Sequence, residues 1–487
     1  MMVKKIKSFL LENKNARQTV AKNTFWLFFG QIFSKLIKVV IIIYAARVIG
    51  ATEYGAFSYA LSLAGFFTVF TDFGINATIT REASKDISAQ EKYFSTAIVI
   101  KTIVIAFIAF FVVVLSPVLF KEKEVAALMP IVIFIVGFDS LRDFGASLYR
   151  AWEKMEMEAL VQIITNVFIV IGGFLALYYS HTAKALSLGY VIGTGIGMIV
   201  AFVPFKKYLR SIKETFSKSL IKSLLYSSWP IGFVGIMGGV MLNTDNLMIA
   251  WLRNITEVGY YSASQRIAQV IFILPGLISA AFFPTTAKLY DQKERVAKIV
   301  EKSSALLFMV ALPLTVGGVL LAYKIVHLLF GTEYMAGAPS FQILSLMYIP
   351  SFLVAAFGNP IFIFNKERKL FAYAIIGVLG NFIFDLIFIP IWGIAGSAIS
   401  SLLNQTISTS YLYFILKKEL RFSFPKIKNF IWSAIIMALA IIFLEVLNIN
   451  LYAIIILATI SYFGSLYLFK ESLLFEIKEI FIQKTKA

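Results

Sequence analysis

Cysteine is absent from the 487 residues, and only two histidines occur. Disulfides, thiol catalysis and cysteine-bound zinc are therefore excluded, while the redox compartment stays open. His181 and His327 lie far apart in sequence, so a histidine-based metal site is not expected. Charge is scarce as well: 15% of residues are charged against 59% hydrophobic, and mean hydropathy is +0.82. A soluble domain needs far more polar surface. No polar stretch is long enough to hold a soluble catalytic domain.

Long apolar runs fill the chain instead. We place fourteen, each of the roughly 20 residues that cross a bilayer: 24–46, 56–80, 94–119, 126–149, 158–179, 184–205, 224–251, 258–287, 303–330, 339–364, 370–391, 394–416, 430–447 and 450–469. Lipid offers the backbone no hydrogen-bond partners, so each run is expected to be a helix. A barrel would need short alternating segments, which are missing. The expected fold is an all-α polytopic membrane protein of 14 transmembrane helices. Trp26, Trp152, Trp229, Trp251, Trp392 and Trp432 all fall at span ends, where interfacial aromatics belong.

Positive charge falls in every second gap. Of 45 Lys and Arg residues, 34 lie in even-numbered gaps and the two tails, and six lie inside the runs. The other five, Arg47, Lys121, Lys123, Lys184 (the first residue of the sixth run) and Arg253, lie in or at the edge of odd-numbered gaps. Lys and Arg near span ends resist translocation, so the rich side, with both termini, is read as cytoplasmic in a cell (inner or plasma) membrane. The first run follows Lys4, Lys5, Lys7, Lys14, Arg17 and Lys22. It is too long for a signal-peptide core and is read as an uncleaved first span. The +18 net charge is spread along a membrane rim, which favours anionic lipid headgroups over nucleic acid.

The gap after the first run reads Thr52-Glu53-Tyr54-Gly55-Ala56-Phe57-Ser58, and that after the seventh reads Thr256-Glu257-Val258-Gly259-Tyr260-Tyr261-Ser262. Six spans separate the copies. An even number keeps orientation, so two parallel repeats are expected. Residues 1–206 would form an N-terminal six-helix lobe, 207–416 a C-terminal one, and 417–487 two extra helices with a tail.

Two stretches carry a family likeness. One is Ala46-Arg47-Val48-Ile49-Gly50-Ala51 running into the first repeat copy, then Asp72-Phe73-Gly74-Ile75-Asn76 and Thr80-Arg81-Glu82. The other is Asn243-Thr244-Asp245-Asn246-Leu247-Met248-Ile249, then Val258-Gly259-Tyr260-Tyr261 and Arg266. Together they resemble the Wzx-type polysaccharide or O-antigen flippases of the multidrug/oligosaccharidyl-lipid/polysaccharide exporter superfamily. The resemblance implies transfer of a polyprenyl-linked oligosaccharide from the inner to the outer leaflet by alternating access. It implies cavity-facing cations that hold the phosphate, and by position it points to Arg266. Expected partners are the lipid-linked oligosaccharide and membrane lipids, with a polysaccharide polymerase or glycosyltransferases as further candidates. No cofactor is expected.

Charges inside the spans carry the site expectations. A charge at a span centre costs roughly 2.5 to 3.5 kcal/mol on insertion scales. Lys35 and Lys38 lie three apart near the middle of the first span, on one helical face. They either share a wet cavity that receives an anion or pair with a carboxylate elsewhere. Arg142 is either a third phosphate contact or an ion-pair partner of Asp139 and Asp143. Asp245 and Asp385 are candidates for ion coupling or ion pairing, Asp245 with Arg266 in particular. Asp72 and Arg81 are expected to organise a cytoplasmic gate. Lys101 and Lys324 are expected to snorkel toward span ends. Pro230, Gly235 and Gly238 mark an expected hinge in the seventh span, against close helix packing as the alternative.

Other signals are set aside. Asp-Phe-Gly at 72–74 and 143–145 lacks every companion of the kinase motif. Gly193-Thr194-Gly195-Ile196-Gly197 lies within a span and reads as helix packing, not a dinucleotide loop. No nucleotide-binding signature occurs, so a gradient is expected to drive transport. Three rivals stay open: a lipid II-type flippase, a drug/cation antiporter of the same superfamily, and a polytopic glycosyltransferase or polymerase.

Overall fold

The computed structural model describes residues 12, 13, 15–86, 88–120, 122–289, 291–364, 366–423 and 427–476. Lys4, Lys5, Lys7, Lys14, Lys121, Lys426, Lys478, Lys484 and Lys486 of the charge pattern lie outside them. Among the described residues every regular element is helical. Eleven helices there are long and apolar enough to cross a membrane. The chain divides into two compact units, residues 1–259 and 260–487.

The first unit opens with α1 (Ala16–Asp72), capped by Asn15, whose side chain accepts from the Gln18 amide at 2.9 Å. This helix is broken at Gly50, where φ is 77°. Only glycine adopts that left-handed region without strain. The second expected span, 56–80, is not one helix. It stops at Phe73 and Gly74, both left-handed, and restarts as α2 (Ile75–Lys85). Two causes are visible. Asp72 Oδ1 accepts from the Asn76 amide at 3.2 Å and caps the restart. A Cβ on Gly74 would lie 2.3 Å from the Ser228 carbonyl, so a neighbouring backbone occupies that space.

Then follow α3 (Gln90–Leu119), α4 (Lys123–Ala151), α5 (Met155–Tyr179), α6 (Ala183–Phe202), α7 (Lys218–Leu252) and the start of α8 (Ile255–Ile271). Small residues set how closely α5 and α6 approach. A Cβ on Gly193 would meet Ile169 backbone at 2.4 Å, and one on Gly197 would meet Thr165 Oγ1 at 2.0 Å. The glycine run at 193–197 is therefore a packing stripe, as its spacing suggests. Phe94, Phe144, Tyr149 and Phe205 fill one buried core, and the Tyr149 hydroxyl donates to the Ala201 carbonyl at 2.9 Å.

The opening residues of the two repeat copies, 52–55 and 256–259, meet each other within this unit. Thr52 and Thr256 hydroxyls lie 2.8 Å apart. A Cβ on Gly55 would lie 2.0 Å from the Ile255 carbonyl, and one on Gly259 would lie 2.0 Å from the Ala51 carbonyl. Each glycine faces the carbonyl four residues before its counterpart, which is a local two-fold arrangement.

The second unit takes in the rest of α8, then α9 (Ile273–Lys288), α10 (Lys293–Leu320), α11 (Ala322–Phe330), α12 (Ala338–Leu346), α13 (Tyr348–Ile363), α14 (Glu367–Glu419), α15 (Lys428–Val446) and α16 (Leu451–Leu468). A break at Gly393, with φ 58°, divides α14 at the gap expected between 391 and 394. The expected helices at 258–287 and 339–364 are interrupted near Phe272 and Met347. The Tyr462 hydroxyl donates to the Met309 carbonyl at 2.9 Å and ties α16 to α10.

Candidate functional site

Four helices of the first unit line a cavity of about 610 Å3. From α1 come Gln31, Ser34, Lys35 and Lys38, whose spacings of three and four residues place them on one face. From α4 come Asp139, Arg142 and Asp143. From α5 come Glu158, Gln162 and Asn166, four apart, and from α6 Tyr190 and Thr194. Polar side chains in an otherwise apolar helix fall on one stripe each, and the stripes converge here.

The charges are matched unequally. Arg142 Nη1 lies 2.6 Å from Asp139, and its Nη2 lies 2.8 Å from Asp143. Arg150, at the end of α4, holds Glu158 at 2.9 Å. Thus each of the three acids has an arginine. Lys35 and Lys38 come in addition, so the wall carries four cations and three carboxylates. The Lys38 ammonium sits 5.0 Å from the Tyr190 ring centroid, a cation–π distance. Among the described residues no carboxylate pairs with Lys35.

Lys35, Lys38 and Arg142 are thus brought to one cavity. Arg266 lies in the second unit and donates to Gln269 Oε1 at 3.0 Å. Asp245 is buried on α7. Asp385 is buried on α14, accepting from Asn381 Nδ2 at 3.2 Å. Asp72 and Arg81 are not joined to each other: Arg81 pairs with neighbouring Glu82 at 2.8 Å, and Asp72 pairs with Lys101 at 2.9 Å. This last contact corrects the snorkelling expectation for Lys101. Its side chain has 0% exposure and also donates to Asn76 Oδ1 at 3.2 Å, because the broken end of α1 presents polar groups to it. Lys324 is partly exposed and pairs with Glu445 at 3.0 Å. Helix α7 runs through Pro230 as one element. A Cβ on Gly238 would meet nothing within 4 Å, and one on Gly235 would meet only Val69 at 3.8 Å.

Arg150, Glu158, Gln162 and Asn166 are cavity residues that the sequence reading missed. Arg150 counts there as a cytoplasmic-gap cation and Glu158 as a span end. The Glu158, Gln162, Asn166 repeat at four-residue spacing was the available signal.

Residues 20–290 match the family described as polysaccharide biosynthesis protein, more than half of the chain. The chain belongs to this family. A probable low-salt glycan biosynthesis flippase of Haloferax volcanii is 23% identical over 401 residues, covering 80% of this chain and 82% of that protein. A putative O-antigen transporter of Shigella flexneri is 22% identical over 348 residues, covering 69% and 82%. Among solved structures, the lipid II flippase MurJ in an inward closed conformation superposes with TM-score 0.76 at 18% identity, over 92% of this chain and 99% of MurJ. An outward-facing multidrug transporter of the MATE family superposes with TM-score 0.58 at 13% identity, over 85% and 97%. This polysaccharide biosynthesis family member is therefore an all-helical, multi-pass membrane protein with the fold those transporters share.

Proposed function

We propose that this protein is a flippase that carries a polyprenyl-(pyro)phosphate-linked oligosaccharide from the cytoplasmic to the outer leaflet by alternating access. One observation carries the reading: a cation-rich cavity built from apolar helices, in which every acid already has an arginine and, among the described residues, Lys35 has no carboxylate. An anionic headgroup relieves the cost of keeping that ammonium within a span. Lys35, Lys38 and Arg142 are the assigned phosphate contacts, and Arg266 is added on the family match alone. A cavity for organic cations needs a net acidic wall, so the cation antiporter reading is the weaker one. The names of the glycan flippase and O-antigen transporter relatives agree with the choice.

Fourteen spans fit this reading. The eleven long helices become twelve when the kinked α14 is divided, and the kinked α1 adds two more. Two six-helix lobes, 1–206 and 207–416, with the pair in 417–487, match the repeat, and the reciprocal Gly55 and Gly259 contacts favour duplication. Lys and Arg placement favours cytoplasmic termini in an inner or plasma membrane. Asp245 and Asp385 are assigned to ion coupling or ion pairing, Asp72 and Arg81 to the cytoplasmic gate, and Pro230, Gly235 and Gly238 to the hinge.

The test is export in a strain that lacks its own copy. Lys35→Ala with Lys38→Ala is expected to abolish glycan export and accumulate the lipid-linked intermediate, with the protein still inserted in the membrane. Undiminished export by the double variant removes these lysines from the mechanism.

A further inference from the structure

Arg150 belongs to two cavities. It lines the first together with Lys35 and Lys38. It also lines a second, of about 750 Å3, which shares only Leu27 and Arg150 with the first. The second cavity is built at one end of the unit, from the early turns of α1, the later part of α2, the start of α3 and the turn between α4 and α5. In the proposed topology that end is cytoplasmic. Among the described residues, Arg150 and the exposed Glu153 are the only charged groups on its wall.

A short turn fixes Arg150 in place. Helix α4 ends at Ala151, Glu153 takes a left-handed φ of 55°, and the Lys154 amide donates to the Tyr149 carbonyl at 2.9 Å. The Trp152 indole N–H pins the turn by donating to Gln90 Oε1 at 3.0 Å. The reversal brings Arg150 beside Glu158 on α5, whose side chain is 5% exposed. Arg150 Nε donates to Glu158 Oε2 at 2.9 Å, so a buried carboxylate holds one side of the guanidinium. Among the described residues nothing accepts from its Nη1 or Nη2. Arg142 differs: its Nη1 goes to Asp139, and its Nη2 and Nε both go to Asp143. Of the two arginines on the first cavity's wall, Arg150 is the one with an open edge to its fork. Two guanidinium N–H groups in one plane match two oxygens of a phosphate.

We propose that Arg150 is a further phosphate-binding residue, and that Glu158 is the positioning residue that aims it. Nη1 and Nη2 take two oxygens of the carried lipid's phosphate, and the second cavity is the side from which that headgroup arrives. The proposal rests on the flippase reading, which puts the phosphate in the first cavity.

The experiment is calorimetric titration of the full chain, in phosphatidylcholine nanodiscs, with inorganic pyrophosphate. Arg150→Gln is expected to weaken binding at least tenfold; an unchanged affinity overturns the proposal. The same variant is expected to unfold at a lower temperature, because Glu158 is left buried without its cation. Arg150→Gln with Glu158→Gln separates the two effects. The double variant keeps the net charge of the wall and removes the stranded carboxylate, so its thermal stability is expected to return. Its pyrophosphate affinity is expected to stay at least fivefold below wild type. Full recovery of affinity there overturns the proposal, since Arg150 would then serve only to neutralise Glu158. Arg150→Lys keeps the charge and loses the fork, and is expected to bind less tightly than wild type; equal affinity overturns the two-oxygen contact. Lys35→Ala with Lys38→Ala is expected to weaken pyrophosphate tenfold as well. If that pair changes nothing while Arg150→Gln does, the lysine assignment fails and Arg150 stands; the opposite result leaves the lysines in place and overturns Arg150.

Discussion

Lys101 shows what one residue's depth leaves out. The sequence puts it close to a span end, where a long side chain reaches water. The structure turns it inward, onto Asp72 and Asn76. Depth follows from counting residues along a helix; the facing partner follows from a break in another helix, at Phe73 and Gly74, that no hydropathy pattern marks. Removing one member of a buried pair costs about 3–5 kcal/mol, whereas removing both costs far less. Asp72 keeps 34% of its surface, so the lower end of that range applies. Lys101→Met is expected to lower the unfolding temperature in detergent, and Asp72→Asn with Lys101→Met to recover most of the loss. A double variant as unstable as the single one would rule out the pair as the cause. Lys35 was legible for the opposite reason. Three-residue spacing in an apolar run puts Lys35 and Lys38 on one face, and the cost of burial leaves them a wet cavity or a carboxylate partner; the structure places both on the wall of a cavity.

At the scale of the element, glycine spacing was legible but ambiguous, because packing and bending use the same residues. The structure separates them by what stands opposite. In α6, Gly193 and Gly197 press on α5. In α7, a Cβ on Gly232 would meet Phe73 backbone at 2.7 Å and one on Gly239 would meet Val69 at 2.4 Å, so these two pack. Gly238 has open space, and packing gives no reason for it. Glycine in a helix interior costs about 0.5–1 kcal/mol relative to alanine. Gly238→Ala is therefore expected to raise thermal stability by about that amount while slowing transport several-fold, since it stiffens the proposed hinge. Gly239→Ala is expected to destabilise. A Gly238→Ala protein that is more stable and transports at the wild-type rate would exclude bending at this point. The kinks at Gly50 and Gly393 were legible only as gaps between runs, because the sequence marks where lipid ends and not that the helix carries on through a single left-handed residue.

For the whole molecule, orientation is written in charge and not in hydropathy. Apolar length fixes which segments cross, but each segment crosses equally well in either direction. The asymmetry comes from Lys and Arg, which are drawn to the cytoplasmic face by anionic lipid and resist transfer across the membrane. The reading commits every loop at once: residues 180–183 and 448–449 outside, residues 211–217 and 289–292 inside. The absence of cysteine makes this directly measurable, because any introduced thiol is the only one. His181→Cys and Asn448→Cys are expected to react with a membrane-impermeant maleimide in intact cells. Glu214→Cys and Asp291→Cys, all four being exposed positions, are expected to react only after permeabilisation. Odd and even gaps must alternate, so one reversed pair would mean a miscounted span between them, while four reversals together would invert the protein and place the cationic rim, and with it the loading of substrate, on the wrong side of the bilayer.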